Sequence, residues 1–334
     1  ARQTRPVAGR ADQSPLIAVS PGRRSGPGDN DAMNPMAEAT AAVVVVYRFQ
    51  HDLRPMLAAL NAAVGALVIV DNSEAGHATL PANAAEVGAD LIHARNQGGL
   101  AGAYNRALEH LRSRPRGIRH VVFLDEDSDP SVLADFLADS INQQMLAAPN
   151  TAAIAPAYRD RATGMRGKYI ELQRLRLRYL SRSFQEVRAV AFVINSMAVW
   201  RWEALAEIGP FNERLAIDHI DTDYCLRARH LGLQVWVHGR YEFAHAIGER
   251  RRFRFLGKEM QAGGHGPQRR WLIGRNTMWL ARSELWREPA FAFLCLTRLA
   301  YEVVGIVIAE PAAPAKLGAL LRGAWSGLFA GRLR

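Results

Sequence analysis

Cysteine is nearly absent: Cys225 and Cys295 are the only two in 334 residues. No C-x-x-C spacing occurs. A disulfide framework and a zinc cluster of the usual spacing are both excluded, and a reducing compartment, the cytoplasm, is the default. The common glycine-rich phosphate loops are missing as well. The first strand candidate ends at Tyr47 and continues Arg48-Phe-Gln-His-Asp52, where a dinucleotide-binding Rossmann domain needs G-x-G-x-x-G. The P-loop pattern G-x-x-x-x-G-K-[ST] is nowhere in the chain. No RNP-type aromatic signature, zinc-finger spacing or helix-turn-helix pattern accompanies the basic charge, so nucleic acid is not expected as a partner.

What is present is a globular composition, with 49% apolar and 22% charged residues. A chain of this length can bury a large core in one large or two small domains. Net charge is +10 and unevenly placed. Residues 159 to 188 hold nine Lys or Arg against three acids, and residues 249 to 282 hold nine against two. Such patches attract polyanions, including anionic lipid or a substrate carrying a diphosphate. Residues 1–40 are rich in Ala, Arg, Pro, Gly and Ser, show no period, and read as a disordered extension without the apolar core of a secretory signal.

From residue 41 the pattern becomes regular. Ala42-Val-Val-Val-Val-Tyr47 reads as a buried strand, and Leu53, Met56, Leu57 and Leu60 follow at helical spacing. Ala66-Leu-Val-Ile-Val70 stops at Asp71-Asn-Ser, and Ala89-Asp-Leu-Ile-His93 leads through Asn96-Gln-Gly-Gly into a helix bearing Leu100, Tyr104, Leu108 and Leu111. Val121-Val-Phe-Leu124 then ends in Asp125-Glu-Asp-Ser-Asp129-Pro130. This alternation predicts an α/β fold, a mostly parallel sheet with helices on both faces, whose ligands gather at the carboxyl ends of the strands. Those ends are Tyr47, Asp71, Asn96 and Asp125.

Alternate acids at a strand end suit a divalent cation held against a phosphate, since oxygen ligands leave positions open for phosphate oxygens. A solvated turn is the competing reading. Two further readings fit less well. An aspartyl-phosphate phosphatase wants D-x-D-x-[TV], where residue 129 is Asp, and an EF-hand loop needs Gly where Pro130 stands. Gly98, Gly99 and Gly102 sit where a loop becomes a helix, which suits either a phosphate at free N–H groups or close packing of helix on sheet. Further on, Asp218-His-Ile-Asp-Thr-Asp223 opens a helix predicted to start near Thr222. Acids there cap a helix in any protein, and a carboxylate opposite a metal site is also what a general base requires.

Asp71-Asn-Ser, Asn96-x-Gly-Gly, Asp125-Glu-Asp-Ser, Gly209-Pro-Phe, Asp218-x-x-Asp-Thr-Asp-Tyr-Cys-Leu-Arg-Ala-Arg, His245-x-x-Gly and Arg275-Asn276 occur in that order. The ordered set resembles family 2 glycosyltransferases of the GT-A fold, in particular their rhamnosyltransferase branch, over about residues 42 to 282. The resemblance implies a GT-A type nucleotide-sugar-binding domain over residues 41–282, followed by C-terminal helices over 283–334. It implies that Asp71 contacts the nucleotide base with Tyr47 beside it, and that Asn96, Gly98, Gly99 and Asn105 line the nucleotide-sugar site. Asp125 and Asp127 would hold Mn²⁺ or Mg²⁺ and through it the diphosphate, with His245 completing the sphere. Asp221 would be the catalytic base, with Asp218 and Asp223 as second choices, and Arg275, with Arg269 or Arg270, would meet the diphosphate or the acceptor. Arg48 and Glu126 depart from the family's usual Asn and Gln, which bears on the donor sugar.

The implied activity is inverting transfer of a sugar, dTDP-rhamnose being the favoured donor, to a glycan or polyprenyl-linked acceptor in cell-surface polysaccharide synthesis. A galactofuranosyl- or other hexosyltransferase of the same fold is one alternative. A non-catalytic basic α/β module that binds membrane or nucleic acid is the other. Residues 289–309 are apolar apart from Arg298 and Glu302, and residues 317–333 read as a basic, Trp-containing amphipathic helix. Two charges near the middle argue against a spanning helix. Peripheral contact with the inner face of the plasma membrane and a dimer-forming hairpin are both expectations for this region.

Overall fold

A computed structural model describes residues 34–113, 117–245 and 251–331. The expected extension over residues 1–33 lies outside the described residues. Residues 34–40, assigned to that extension, instead form a short helix, α1 (Pro35–Glu38), and the start of strand β1 (Thr40–Val46). Asn34 explains the start, because its side chain accepts from Met36 N–H and Pro35 occupies the first turn.

The first half alternates as the periodicity predicts: α2 (Arg54–Ala63), β2 (Ala66–Asp71), α3 (Leu80–Glu86), β3 (Asp90–His93), α4 (Gly99–Arg112) and β4 (His120–Asp125). Helices α5 (Leu133–Ala138) and α6 (Ser140–Ala147) lead to β5 (Thr151–Asp160) and the hairpin of β6 (Ile170–Gln173) with β7 (Arg176–Tyr179). Then follow β8 (Val187–Val190), β9 (Val199–Arg201), α7 (Trp202–Ile208), α8 (Ile220–His230) and β10 (Gln234–His245). A second hairpin, β11 (Arg251–Phe255) with β12 (Lys258–Ala262), precedes α9 (Pro267–Glu284), α10 (Pro289–Ala309) and α11 (Ala313–Phe329).

The main sheet has eight strands in the order β3-β2-β1-β4-β9-β5-β10-β8. Strands β1 to β4 are parallel, and β9 is antiparallel to both β4 and β5. Because β9 reverses twice, β5 and β10 run with the first four, and β8 alone joins β9 in opposition. The sheet is thus mostly parallel, as expected. β1 is buried along its whole length and sends alternate residues to opposite sides. Val43 and Val45 join Tyr104 and Leu108 of α4 in one core, while Val44 and Val46 join Leu57 and Leu60 of α2 in the other.

The C-terminal helices fold back on one another. A Cβ added at Gly323 or Gly327 of α11 would stand 2.0 Å or 2.2 Å from the Trp271 or Arg275 carbonyl of α9. Backbones this close need glycine at those points. The helical region begins at Pro267, inside the stretch that the motif order assigned to the transferase domain. Arg270, expected near the diphosphate or acceptor, is instead fully buried and ion-paired to Glu302 of α10 and to Glu310. Lys316 of α11 closes the network, with its Nζ 2.9 Å from Glu310 Oε2. Removing one partner of such a network strands the others without compensation. Arg270→Met should therefore destabilise the protein by about 3–5 kcal/mol, measured as a lower midpoint in urea unfolding; an unchanged midpoint would contradict this account of the helical cap.

Candidate metal and transfer site

Strand β4 delivers the acids. Its residues Val121 to Leu124 are fully buried, so the chain leaves the sheet at Asp125 and turns. The turn is closed by Ser128 N–H donating to the Asp125 carbonyl at 3.0 Å, and the Ser128 hydroxyl accepts from Asp125 N–H at 3.2 Å. Asp129 accepts from Ser131 N–H at 2.9 Å and closes a turn ahead of α5, whose N-cap is Val132. That leaves Asp125 and Asp127 for ligand chemistry.

Strand β10, three places further along the sheet, ends at His245. Ligand atoms of Asp125, Asp127 and His245 all lie within 4.8 Å of one another. The gap from His245 Nε2 to Asp125 Oδ2 is 4.0 Å. This is too long for a hydrogen bond but natural for two ligands about 2.1 Å from one cation. His245 Nδ1 is buried without a hydrogen-bond partner. Two carboxylates and an imidazole make a mixed oxygen and nitrogen donor set that fits Mn²⁺ better than Mg²⁺.

The segment between β8 and β9 holds the cluster from the far side. Ser196 pairs with Phe123 of β4 through an isolated parallel bridge and donates its hydroxyl to Asp125 Oδ2 at 2.5 Å. Its neighbour Asn195 donates a backbone N–H to the Asp221 carboxylate. One dipeptide thereby positions both the metal acid and the candidate base. Burial pushes Asp221 up to about 7, with the Asp125 charge adding to it. Burial also raises Glu126 to about 7, with Asp125 and Asp127 contributing, and raises Asp125 itself. Tyr104 of α4, buried under the cluster, sits well above the ordinary phenol range from burial, reinforced by Asp125 and Asp221. Arg161 donates to the Asp127 carbonyl at 3.1 Å.

The three acids around the start of α8 are separated by their partners. The helix starts at Ile220, two residues before the expected point, after Asp218 and His219 with φ of +61° and +64°. Such a left-handed pair of non-glycine residues is strained and must be held from outside. Arg269 of α9 does so with two hydrogen bonds to the Asp218 carboxylate, at 3.0 and 3.2 Å. Asn276 donates to the carbonyls of Leu215, Ile217 and Asp218, and Thr277 pairs with His219 Nε2 at 2.8 Å. Burial pushes Asp218 up, yet the Arg269 guanidinium outweighs it and leaves Asp218 below the usual range. Asp223 is buried and turned toward Arg227, with 3.7 Å between Oδ2 and Nη1. Of the three, Asp221 is the acid whose neighbour is Asp125.

The nucleotide-side candidates are arranged differently from expectation. Tyr47 and Asn96 come together on Glu74, which accepts from the Tyr47 hydroxyl at 3.0 Å and from Asn96 Nδ2 at 3.3 Å. Arg48 Nε donates to the same carboxylate at 3.0 Å. Asp71 is 0% exposed, and its carboxylate accepts from Ser73 and His77 N–H groups at 3.0 and 2.8 Å. It therefore shapes the loop after β2 rather than presenting itself to a base. The N-terminus of α4, open to a phosphate on sequence grounds, is covered. Leu100 N–H donates to the Ala216 carbonyl at 2.9 Å, and a Cβ at Gly99 would meet that oxygen at 2.4 Å. Gly98 leaves room for Glu213, and Asn105 bonds Phe211 and Glu213, so this segment clamps the turn that leads to α8. Arg275 donates to the Arg214 carbonyl at 2.6 Å and stacks on Trp271 and Trp279, which braces the same turn from the other side.

Glu74, Asn195, Ser196 and Arg161 were not singled out from the sequence as site residues. Asn195-Ser196 had a visible signal, a polar pair directly after the apolar run 190–194. A cavity of about 710 Å³ lined by Arg159, Arg166, Arg182, Arg240 and Glu242 opens further back along β5 and β10. Its lining includes none of Asp125, Asp127, His245 or Asp221.

A mostly parallel sheet brings two acids and a histidine together at its carboxyl edge, the place where α/β folds bind their ligands. The chain is rhamnosyltransferase-like in sequence: it is 26% identical over 248 residues to dTDP-rhamnosyl transferase RfbF of Shigella flexneri, covering 72% of this chain and 79% of the relative. No protein-family model matches the chain. Among solved structures, GalNAc-T7 with UDP, GalNAc and Mn²⁺ is 11% identical with a TM-score of 0.41, over 71% of this chain and 48% of that one. Glucosyl-3-phosphoglycerate synthase from Mycobacterium tuberculosis, with Mn²⁺, UDP and glucosyl-3-phosphoglycerate, is 17% identical with a TM-score of 0.28, over 40% and 51%. The chain thus spans about half the length of these two structures.

The raised Asp221 gives the site a pH signature. An acid whose folded pKa lies above its unfolded value contributes stability that is full below the unfolded pKa and is lost as pH rises to and through the folded one. The metal-free protein should lose melting temperature as pH rises from about 4 to about 7, between the ordinary aspartate value and the Asp221 value of about 7. Mn²⁺ should restore more stability at the alkaline end, where the carboxylates are free to bind it. Differential scanning fluorimetry with Asp221→Asn checks the assignment: a variant with the wild-type slope would remove Asp221 from this account.

Proposed function

We propose that the chain is a metal-dependent glycosyltransferase. It moves a sugar, rhamnose in the first instance, from a nucleoside diphosphate donor to a hydroxyl of a glycan or polyprenyl-linked acceptor. The observation that carries this reading is the coupling of Asp221 to the Asp125–Asp127–His245 group at one sheet edge. The dTDP-rhamnosyl transferase relative supports dTDP-rhamnose as donor. A cytoplasmic reaction and a product destined for cell-surface polysaccharide accord with that donor.

The residue chemistry closes without further parts. Asp125, Asp127 and His245 would hold Mn²⁺, or Mg²⁺, which when bound neutralises charge developing on the diphosphate. Asp221 takes the proton from the acceptor hydroxyl as its oxygen attacks the anomeric carbon. The bond from that carbon to the diphosphate oxygen breaks, and the electron pair leaves with the diphosphate. Attack from the face opposite the leaving group inverts the anomeric centre. A base near pH 7 is matched to the task, since it is ionised often enough to act and basic enough to accept the proton. Glu74, with Tyr47, Arg48 and Asn96 gathered on it, is suited to the base and ribose of the nucleotide.

Two experiments test this. Asp221→Asn should lower kcat by roughly 10²- to 10⁴-fold, the usual worth of a positioned base, while nucleotide binding persists; undiminished turnover rules Asp221 out. Thermal unfolding in dTDP or UDP, with and without Mn²⁺, should show stabilisation that needs both partners and is abolished in Asp127→Ala. If neither nucleotide stabilises the protein in the presence of metal, the transferase reading fails and the basic binding module takes its place.

A further inference from the structure

The outer surface of the C-terminal helices is built for a different solvent from the rest of the chain. Helix α10 is 21 residues long and apolar enough to cross a membrane by length and composition. Along one side, Phe293, Leu296, Ala300, Val304 and Val307 recur every three or four residues, and Phe293 is 64% exposed. Helix α11 repeats the pattern with Leu321, Trp325 and Phe329, where Trp325 and Phe329 are 68% and 66% exposed with ring centroids 4.8 Å apart. At the turn before α10, Trp286 is 83% exposed. Large apolar side chains gathered in this way on a surface mark an interaction site.

The charges of this cap are sorted by sign. Residues 283–331 contain four acids, and each is turned inward onto a cation or histidine. Glu284 lies 3.1 Å from His230, Glu288 lies 2.6 Å from Arg229, Glu302 pairs with Arg270, and Glu310 pairs with Arg270 and Lys316. Arg287, beside Trp286, and Arg322, beside Leu321, are exposed. The outer face is therefore aromatic, aliphatic and cationic. A second copy docked on this face by two-fold symmetry would offer these arginines no free acid to pair with. An anionic bilayer surface instead meets them with phosphate and takes the apolar side chains into the acyl boundary.

We propose that the α10–α11 face docks the chain on the surface of an anionic lipid bilayer, with α10 lying in the interface rather than spanning it. Glu302 decides the orientation. Its partner Arg270 is fully buried within the protein, so a spanning α10 would have to break an internal ion pair and carry a carboxylate into hydrocarbon. The charged positions Arg298 and Glu302 lie off the apolar stripe on the helical wheel, which leaves that stripe free of charge. The inference is independent of the transferase reading, since it rests on residues outside the metal site.

The test is co-sedimentation of the full chain with vesicles of phosphatidylcholine alone or mixed with phosphatidylglycerol. Binding should need the anionic lipid and weaken in high salt. Arg287→Gln and Arg322→Gln should each lower it about fivefold, the worth of one cation near a charged surface. Trp325→Ser with Phe329→Ser should lower it further while Mn²⁺-dependent thermal stabilisation stays as in the parent. Alkaline carbonate should release the bound protein. Equal binding to both vesicle types, no binding to either, or retention through carbonate overturns the proposal. So does a dimer in gel filtration that Trp325→Ser dissolves, which would assign the face to a second copy.

Discussion

Everything at the sheet edge follows from crowding like charges where water is scarce. Asp125, Glu126 and Asp127 leave β4 in succession, and Asp221 arrives from α8 close enough to raise its own pKa through Asp125. Burial alone would push such acids toward neutrality, and mutual repulsion pushes them further. The fold accepts this and does not quench it. Asp125 is held by the Ser196 hydroxyl and Asp221 by the Asn195 N–H, donors that orient a carboxylate without neutralising it. A divalent cation relieves the repulsion at one stroke, which is why an arrangement that costs stability alone is coherent as half of a complex.

Helix α9 joins that edge to the C-terminal cap. Arg269 and Asn276, two turns apart on one face, hold the left-handed Asp218-His219 turn and so fix where α8 begins. One residue on from Arg269, Arg270 faces the other way and anchors Glu302 and Glu310. Where Asp221 sits thus depends on a helix whose opposite side is the foundation of the cap. Glycines 323 and 327 bring α11 close enough for that foundation to be rigid.

The first half of the sheet, β1 to β4, was legible because its strands are short apolar runs, most of them β-branched, whereas β5, β8, β9 and β10 were not read as strands. β4 and its terminal acids were legible for the same reason, and the order of motifs led from them to Asp221 and His245. Gly98, Gly99 and Asn105 were harder. Glycine at a helix start permits either a phosphate or a backbone in contact, and only the fold shows that Ala216 fills the space. Asp71 has the same ambiguity: an acid after a strand looks alike whether it meets a ligand or, as here, two backbone N–H groups of its own loop. Arg275 was legible as a motif member but not as a brace, since its partner, the Arg214 carbonyl, is a backbone atom 61 positions away. Glu74 gave no signal at all, because its significance lies in the convergence of Tyr47 and Arg48, which follow β1, with Asn96, which follows β3.

How each acid is compensated separates structure from chemistry in this chain. Glu284, Glu288, Glu302 and Glu310 are turned onto His230, Arg229, Arg270 and Lys316, and Asp218 onto Arg269. A paired carboxylate is stabilised in its ionised form and has little reason to bind a metal or take a proton, as the lowered Asp218 shows. Asp125 and Asp221 have the opposite surroundings: neutral donors, burial and each other. Burial raises both, and Asp221, at about 7, can change protonation within the physiological range. Only such groups can exchange a proton for a cation or accept one from a hydroxyl. Three aspartates within six residues at the start of α8 look equivalent in sequence. The guanidinium groups facing two of them leave Asp221 as the one able to act.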